Sequence, residues 1–188
     1  MATSETLDAT TPMLTRGLHT PAHLLLDDHW YFLTGAIYEK RRLLDDPAKD
    51  HLLDTLKEVI GQAGWDLAHW VILDNHYHLL AKSRRGRDLP GIVRAVHGRT
   101  GFAIHGRTGC ALPVWWNYWD YCPRDEQDYY RHLHYLLWNP VKHGYVTRLQ
   151  DWPWSSFHGL LETLGRERLK AQFQTYSDFR DLAVEDDF

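Results

Sequence analysis

Apolar residues in the first half of the chain follow the spacing of a strand, then of a helix, then of two more strands. Residues 28–38 are aromatic and β-branched, which is typical of a strand. Residues 46–64 begin with an Asp–Pro pair, carry apolar residues at helical spacing and end at a glycine, so they predict an amphipathic helix. Residues 65–73 and 76–83 predict two strands, and the Asp–Asn pair between them suits a hairpin turn.

The second half of the chain continues with a helix, a strand and a further helix. Residues 89–106 keep helical spacing, although four glycines interrupt it. The aromatic run 113–122 predicts a strand. Residues 123–139 predict a helix that begins with a proline and acidic residues and ends before Pro140. The resulting βαββαβ order predicts an α+β fold: a ferredoxin-like sandwich, an antiparallel sheet with helices on one face, plus an added C-terminal helix.

Length and composition place these elements in one domain. The chain has 188 residues, and we predict a polar N-terminal segment over 1–22, a single domain over 23–164 and a peripheral tail over 165–188. No apolar run approaches the ~20 residues of a membrane span, and the first residues lack the pattern of a secretion signal. We therefore expect a cytoplasmic protein with no membrane contact, in which Cys110 and Cys122 are free thiols.

The segment DNHYHLLAKS, residues 74–83, places two histidines in an otherwise apolar strand. His76 and His78 lie two residues apart, so both side chains point to one face of the sheet while Tyr77 points to the other. Two converging imidazoles suit a divalent cation or a proton-transfer pair. The alternative is two partly exposed histidines with satisfied hydrogen bonds, because short motifs also match by chance and the chain contains 13 histidines.

The segment HYLLWNPVKHGYV, residues 134–146, supplies a second set of polar groups. Tyr135 and Asn139 lie four residues apart and therefore share one face of a helix. The carbonyl oxygen of Asn139 can bind the same cation, and the hydroxyl of Tyr135 can act as a nucleophile toward a phosphodiester that a cation polarises. Tyr129 and Tyr130, on the same helix, are alternatives for that role.

Three ordered blocks resemble one family. WVILDNHYHLL, HYLLWNPVKHGYV and DWPWSSFH together resemble the single-tyrosine transposases of the HUH nuclease superfamily, most closely the REP-associated tyrosine transposases. The resemblance covers residues 29–158, and three blocks in order are far more specific than a His-x-His pair alone.

The resemblance implies a nucleoid-associated enzyme that recognises a DNA hairpin and cleaves the adjacent single strand. His76 and His78 would hold Mg²⁺ or Mn²⁺, with Asn139 as a third ligand. Tyr135 would attack the scissile phosphorus and leave a 5′-phosphotyrosine and a 3′-hydroxyl, which later reverses the reaction. Whether the protein acts as a monomer or as a homodimer stays open.

Charge is distributed unevenly along the chain, which bears on DNA binding. The net charge is −4, yet residues 82–107 contain seven basic residues and one acidic residue. A basic segment of this kind can follow DNA phosphates without reading sequence, or it can be an ordinary solvated surface. The residues that we predict to contact DNA are Arg84, Arg85, Arg87, Arg94, Arg99, Lys142 and His143.

Two other functions stay open at this point. The first is a non-catalytic DNA-hairpin binding protein derived from a transposase. The second is a zinc protein that uses the abundant histidines, although the two cysteines form no recognisable zinc signature. The aromatic run WWNYWDY, residues 115–121, could stack unpaired bases, but alternate rings in a strand must face the core, so we expect most of them to pack.

Overall fold

The computed structural model describes residues 24–182, and its centre is a four-stranded antiparallel sheet. The strands are β1 (Trp30–Ile37), β2 (Asp66–Ile72), β3 (His76–Lys82) and β4 (Trp115–Tyr121). They lie in the order β2-β3-β1-β4, and each neighbouring pair is antiparallel. This strand order and the succession of elements confirm the predicted α+β, ferredoxin-like fold.

Helices cover both faces of the sheet. The α-helices of the described residues are α1 (Asp46–Gln62), α2 (Leu89–Thr108), α3 (Glu126–Lys142), α4 (Phe157–Leu164) and α5 (Arg166–Thr175). The first two form one hydrophobic core with one face of the sheet, as the sandwich pattern predicts. The third forms a separate core with the opposite face, to which α4, α5 and the turn after α5 contribute.

The alternation of side chains along β3 decides which residues each helix layer meets. Tyr77 and Leu79 belong to the core formed with α1 and α2, whereas Leu80 belongs to the core formed with α3. A strand buried on both faces needs apolar residues at nearly every position, which explains the continuous run after residue 78. His76 and His78 therefore face α3 from the middle of the sheet.

Helix α3 is longer than predicted because Pro140 does not end it. The helix continues to Lys142, three residues past the predicted end. Proline removes one helical hydrogen bond, but the last turn still closes. The His143 N–H donates to the Asn139 carbonyl at 3.0 Å, and the Tyr145 N–H donates to the Pro140 carbonyl at 2.9 Å. This extra turn brings Lys142 onto the helix face that carries Tyr135, seven residues earlier.

Residues 151–156 form an ordered segment along the edge strand β2. The Ile72 N–H donates to the Trp154 carbonyl, the Ser156 N–H donates to the Trp70 carbonyl, and both distances are 2.9 Å. The indole of Trp152 donates to the Ile72 carbonyl at 3.0 Å. The segment thus covers part of an edge that would otherwise expose unpaired backbone groups.

The C-terminal part of the described chain packs onto the core beneath α3. Leu169 and Phe179 are buried there. The predicted segment 1–22 and the last six residues lie outside the described residues, and the division of the chain into three parts stays a prediction. Cys110 and Cys122 are free thiols, as predicted. No helix within residues 24–182 is long and apolar enough to cross a membrane.

Candidate active site

The two histidines of β3 lie side by side in a buried position. His76 and His78 are almost inaccessible to solvent, and their ring centroids are 5.0 Å apart. The sheet supplies this arrangement directly, because residues two apart on a strand project from the same face. The structure therefore brings the predicted pair together, facing α3.

Neighbouring polar side chains hold each imidazole at its Nδ1 atom. Thr34 on β1 lies directly opposite His78 in the strand pairing, and its hydroxyl is 2.8 Å from His78 Nδ1. The Asn75 side-chain oxygen is 2.7 Å from His76 Nδ1. Contacts of this kind fix the orientation of an imidazole and determine which nitrogen carries the proton.

Asn139 reaches the histidine pair from α3. Its side chain is fully buried, and its Oδ1 atom is 3.0 Å from His76 Nε2. Two ligands at about 2.1 Å from one cation and at right angles to each other would also lie about 3.0 Å apart. The spacing of these two atoms therefore fits a shared divalent ion.

The donor set available for such an ion is two imidazoles and one amide oxygen. In the part of the chain that the structure describes, no group of three or more His, Cys, Asp or Glu residues could hold a metal ion. A structural zinc site built on cysteine is therefore not supported by these residues. Imidazole and amide ligands in a small cluster leave coordination positions for water or phosphate oxygens, as a catalytic cation requires.

Tyr135 lies one helical turn before Asn139 and faces the same pair. Its ring centroid is 5.6 Å from that of His78, and its side chain is 0% exposed. The ammonium group of Lys142 donates to the Tyr135 hydroxyl at 2.6 Å and lies 4.6 Å from the centre of the ring. Lys142 itself is exposed, so it connects the buried phenol to the protein surface.

His143 completes the cluster at the exposed end of α3. Its ring centroid is 5.1 Å from that of His76. Lys142 and His143 were both predicted to contact DNA, and the structure places both beside the candidate site. A phosphate that approached the histidine pair would meet them at the rim.

The predicted arginines lie elsewhere. Arg85, Arg87 and Arg94 line a groove of about 550 Å³ between α1 and the start of α2, on the other side of the sheet. Lys82 lies six positions after His76 on β3, roughly 20 Å along the strand, and the arginine segment begins only beyond that point. Arg85 pairs with Asp88 at 3.0 Å, and Arg99 pairs with Glu58 at 2.6 Å. Arg84 is an exposed member of the same segment. DNA contact by these arginines stays a prediction.

Several other histidines among the described residues pack against structural partners. His97 stacks on Trp115 with centroids 4.4 Å apart, and burial lowers its pKa to about 3, so it stays neutral. Burial lowers the pKa of His132 as well, and its ring lies against Asp128 on the same helix. The pair on β3 differs from these in its polar neighbours, because His78 lies beside Tyr135 as well as Phe32 and His76 contacts the Asn139 amide oxygen.

Sequence reasoning missed Thr34 and Asn75 as parts of the site. Thr34 is a polar residue in the otherwise apolar strand WYFLTGAI, and this was the available signal. Asn75 was interpreted only as a turn residue. The contact between Lys142 and Tyr135 was also not predicted, because the helix was expected to end before Pro140.

Similarity to known proteins agrees with this geometry. The family described as "Transposase IS200 like" matches residues 27–120, half of the chain and all of the sheet except its last residue. The chain belongs to this IS200-like transposase family. It is 31% identical over 146 residues to a candidate REP-associated tyrosine transposase of Haemophilus influenzae, a match that covers 68% of this chain and 82% of that relative. It is 28% identical over 132 residues to the REP-associated tyrosine transposase of Escherichia coli K12, with 69% and 76% coverage.

A solved structure supports the same assignment at the level of the fold. A REP-associated tyrosine transposase bound to a REP hairpin matches this IS200-like transposase with a TM-score of 0.65 and 24% identity, covering 75% of this chain and 84% of the other. The resemblance to REP-associated tyrosine transposases that the three sequence blocks suggest is therefore confirmed. At 24% identity this structural likeness establishes a shared architecture.

Proposed function

We propose that this IS200-like transposase cleaves single-stranded DNA beside a hairpin and rejoins strands, with Tyr135 as the nucleophile and Mg²⁺ or Mn²⁺ at His76, His78 and Asn139. One observation carries the proposal: the phenol of Tyr135 faces the buried histidine pair, with its ring centroid 5.6 Å from that of His78. The relatives named as tyrosine transposases support the reaction class. The neighbour bound to a REP hairpin supports the choice of DNA substrate.

The proposed reaction is a transesterification at phosphorus. The Tyr135 oxygen forms a bond to phosphorus while the bond from phosphorus to the 3′ oxygen breaks. The phenol loses its proton, and the departing 3′ oxygen takes one up, so a 5′-phosphotyrosine and a 3′-hydroxyl result. Attack of a 3′-hydroxyl on the phosphotyrosine reverses the step, and no external energy source is needed because one phosphodiester replaces another. A bound divalent cation would polarise a non-bridging oxygen of the scissile phosphate.

The side chains of the site have distinct parts in this proposal. The Nδ1 contacts of Thr34 and Asn75 would direct the Nε2 atoms of the two imidazoles to the cation. The positive charge of Lys142 would stabilise the negative charge that develops on the Tyr135 oxygen in both directions of the reaction. Because Lys142 covers this oxygen, its side chain has to move aside, or share the oxygen, when the phosphate arrives.

Covalent trapping tests the proposal. Labelled hairpin DNA with single-stranded flanks, incubated with the protein and Mn²⁺, is expected to yield a protein–DNA adduct that survives denaturation. Hairpin binding without any adduct under these conditions would contradict it.

A second candidate function is hairpin binding without catalysis. The complete burial of Tyr135 favours it, because no phosphate can reach the phenol in the arrangement observed. The same trapping experiment separates the two functions, since the binding protein would retain the DNA and form no adduct.

Replacing Thr34 with valine should weaken metal binding about 10- to 100-fold, the usual effect of removing a group that orients a ligand. Valine keeps the shape of the side chain but cannot hold His78 Nδ1. Calorimetric titration of Mn²⁺ into the protein without DNA measures the effect directly. Thr55→Val is the matched control, because Thr55 is equally buried on α1 and bonds only to its own helix through the His51 carbonyl. Unchanged affinity in the Thr34 variant would refute the orienting role.

Replacing Lys142 with methionine should slow adduct formation about 10- to 150-fold, the value of one hydrogen bond to a charged group. Single-turnover rates at saturating DNA provide the measurement. Lys142→Arg, which keeps the charge, should retain most of the rate. An equal deficit in both variants would show that the charge of Lys142 has no part in the reaction.

A further inference from the structure

Trp116 and Tyr38 form a pair of aromatic rings at one end of the sheet, of which Trp116 is exposed and Tyr38 is half-buried. Trp116 is 44% exposed, and its ring centroid lies 5.0 Å from that of Tyr38. The preceding residue, Trp115, is buried in the core formed with α1 and α2. The pairing of β4 with β1 shifts register between Trp115 and Tyr118, so Trp116 lies at an irregularity of the strand, and its ring belongs to neither hydrophobic core. We call these two rings the Trp116–Tyr38 platform.

The platform lies at the same end of the sheet as His76. Ile37 pairs with Trp115 on one side, while Ala36 pairs with His76 on the other. The Ile37 N–H also donates to the Asn75 carbonyl at 2.7 Å. Two strand spacings therefore separate the platform from the histidine, roughly 10 Å. A DNA strand held at the candidate site would pass within a few nucleotides of these rings.

Basic residues flank the platform. The stretch 39–42 has the sequence EKRR, three cations and one anion, and it directly follows Tyr38. The Arg41 guanidinium lies 5.7 Å from the centre of the Tyr38 ring and donates to the Ala111 carbonyl at 2.7 Å, which fixes it there. Lys40 is exposed beside it, and the Lys40 carbonyl accepts a hydrogen bond from the Asn75 side chain at 3.3 Å. Exposed rings flanked by cations are the chemistry that binds single-stranded nucleic acid, because bases stack on the rings while phosphates meet the charges.

We propose that the Trp116–Tyr38 platform stacks an unpaired base of the DNA strand that reacts at Tyr135. The inference rests on the proposed function for the identity of the ligand, but it concerns binding rather than chemistry. In this proposal two neighbouring rings of β4 have different roles. Trp115 packs in the core, as expected for most of these rings, and Trp116 provides a surface for a base.

Equilibrium binding without divalent metal tests the platform apart from catalysis. The probe is fluorescein-labelled oligodeoxythymidine, with a blunt duplex of the same length for comparison. Trp116→Ala should weaken binding of the single strand about 5- to 150-fold, the range measured for loss of one stacked base. It should change duplex binding little, and Trp116→Phe should retain most of the single-strand affinity. Phe102→Ala is the matched control, because Phe102 is 81% exposed on α2 and its loss should have no effect.

Several results would overturn the proposed role of the Trp116–Tyr38 platform. Single-strand affinity within twofold of the wild type in Trp116→Ala would overturn the platform, as would an equal loss for duplex and single strand. A change in oligomeric state, measured by sedimentation, with unchanged DNA binding would assign Trp116 to a contact between copies and would also overturn it. If Trp116→Ala does not fold, Trp116→Leu compared with Trp116→Phe carries the same test. Absence of a covalent adduct in the wild type would refute the proposed nuclease while leaving this binding result intact.

Discussion

Tyr135→Phe is expected to reduce covalent adduct formation by at least about three orders of magnitude, because it removes the nucleophile itself. The ring of Tyr135 is buried beneath α3, beside His78 and Phe32, and phenylalanine keeps all of that packing. Only the oxygen that accepts the Lys142 hydrogen bond is lost. The variant should therefore fold and bind hairpin DNA normally, and a denaturing gel of labelled DNA measures the adduct.

Tyr130→Phe is the matched control for this experiment. Tyr130 lies on the same helix, but its ring stacks on Tyr176, with centroids 4.5 Å apart, rather than facing the histidine pair. We expect wild-type adduct formation in this variant. Persistent adduct in Tyr135→Phe together with its loss in Tyr130→Phe would move the nucleophile to the other tyrosine and contradict the site described above.

His78→Ala is expected to abolish measurable Mn²⁺ binding and to slow cleavage about 100- to 10,000-fold, corresponding to the several kcal/mol of charge stabilisation that a catalytic cation supplies. The reason is that the proposed ligands are two imidazoles and one amide oxygen, so the loss of one imidazole removes a third of them. Calorimetry on the DNA-free protein and single-turnover cleavage provide the two measurements.

Adding a chelator to the wild-type protein tests whether the reaction depends on a metal ion, and it leaves the hydrophobic core around His78 unchanged. His78 is fully buried, so its replacement also creates a cavity, and thermal unfolding has to show that the variant is folded. His105→Ala is a suitable control, because His105 lies on α2 and its Nδ1 contacts the Cys110 carbonyl at 2.8 Å, far from α3. Undiminished adduct formation in excess chelator would contradict a metal-dependent reaction.

The sequence predicts most of the fold because each element is encoded locally. Strands with β-branched and aromatic residues, helices with capped ends and the short turn at residues 74–75 define the βαββαβ order, and that order leaves few topologies. The exceptions are also local. The pair Asp46–Pro47 begins α1 as predicted, but the residue before it, Asp45, caps the helix by accepting a hydrogen bond from the Ala48 N–H at 3.1 Å. Pro140 is tolerated because it lies in the last turn of α3, where few helical hydrogen bonds remain to be lost.

The candidate site is only partly encoded in local patterns. The i, i+2 spacing on β3 predicts that His76 and His78 share one face of the sheet. The i, i+4 spacing on α3 predicts that Tyr135 and Asn139 share one face of the helix. The structure places these two faces opposite each other. The contact of Thr34 with His78 depends on the register of β1 and β3. The contact of Lys142 with Tyr135 depends on the residue at which α3 ends. Residue spacing alone predicts neither. The position of the arginine groove depends on which face of the sheet α2 covers. A count of charges along the sequence does not predict that face.

The most direct test of the central claim is to identify the residue that becomes attached to DNA. Trapped adduct from the wild-type protein and Mn²⁺ would be digested with nuclease and protease and sequenced by mass spectrometry. We expect a nucleotide mass on the peptide that contains Tyr135, on that residue alone. A nucleotide on Tyr129 or Tyr130, or a hairpin cleaved with no nucleotide on any tyrosine, would contradict the proposed reaction of this phenol beside the histidine pair.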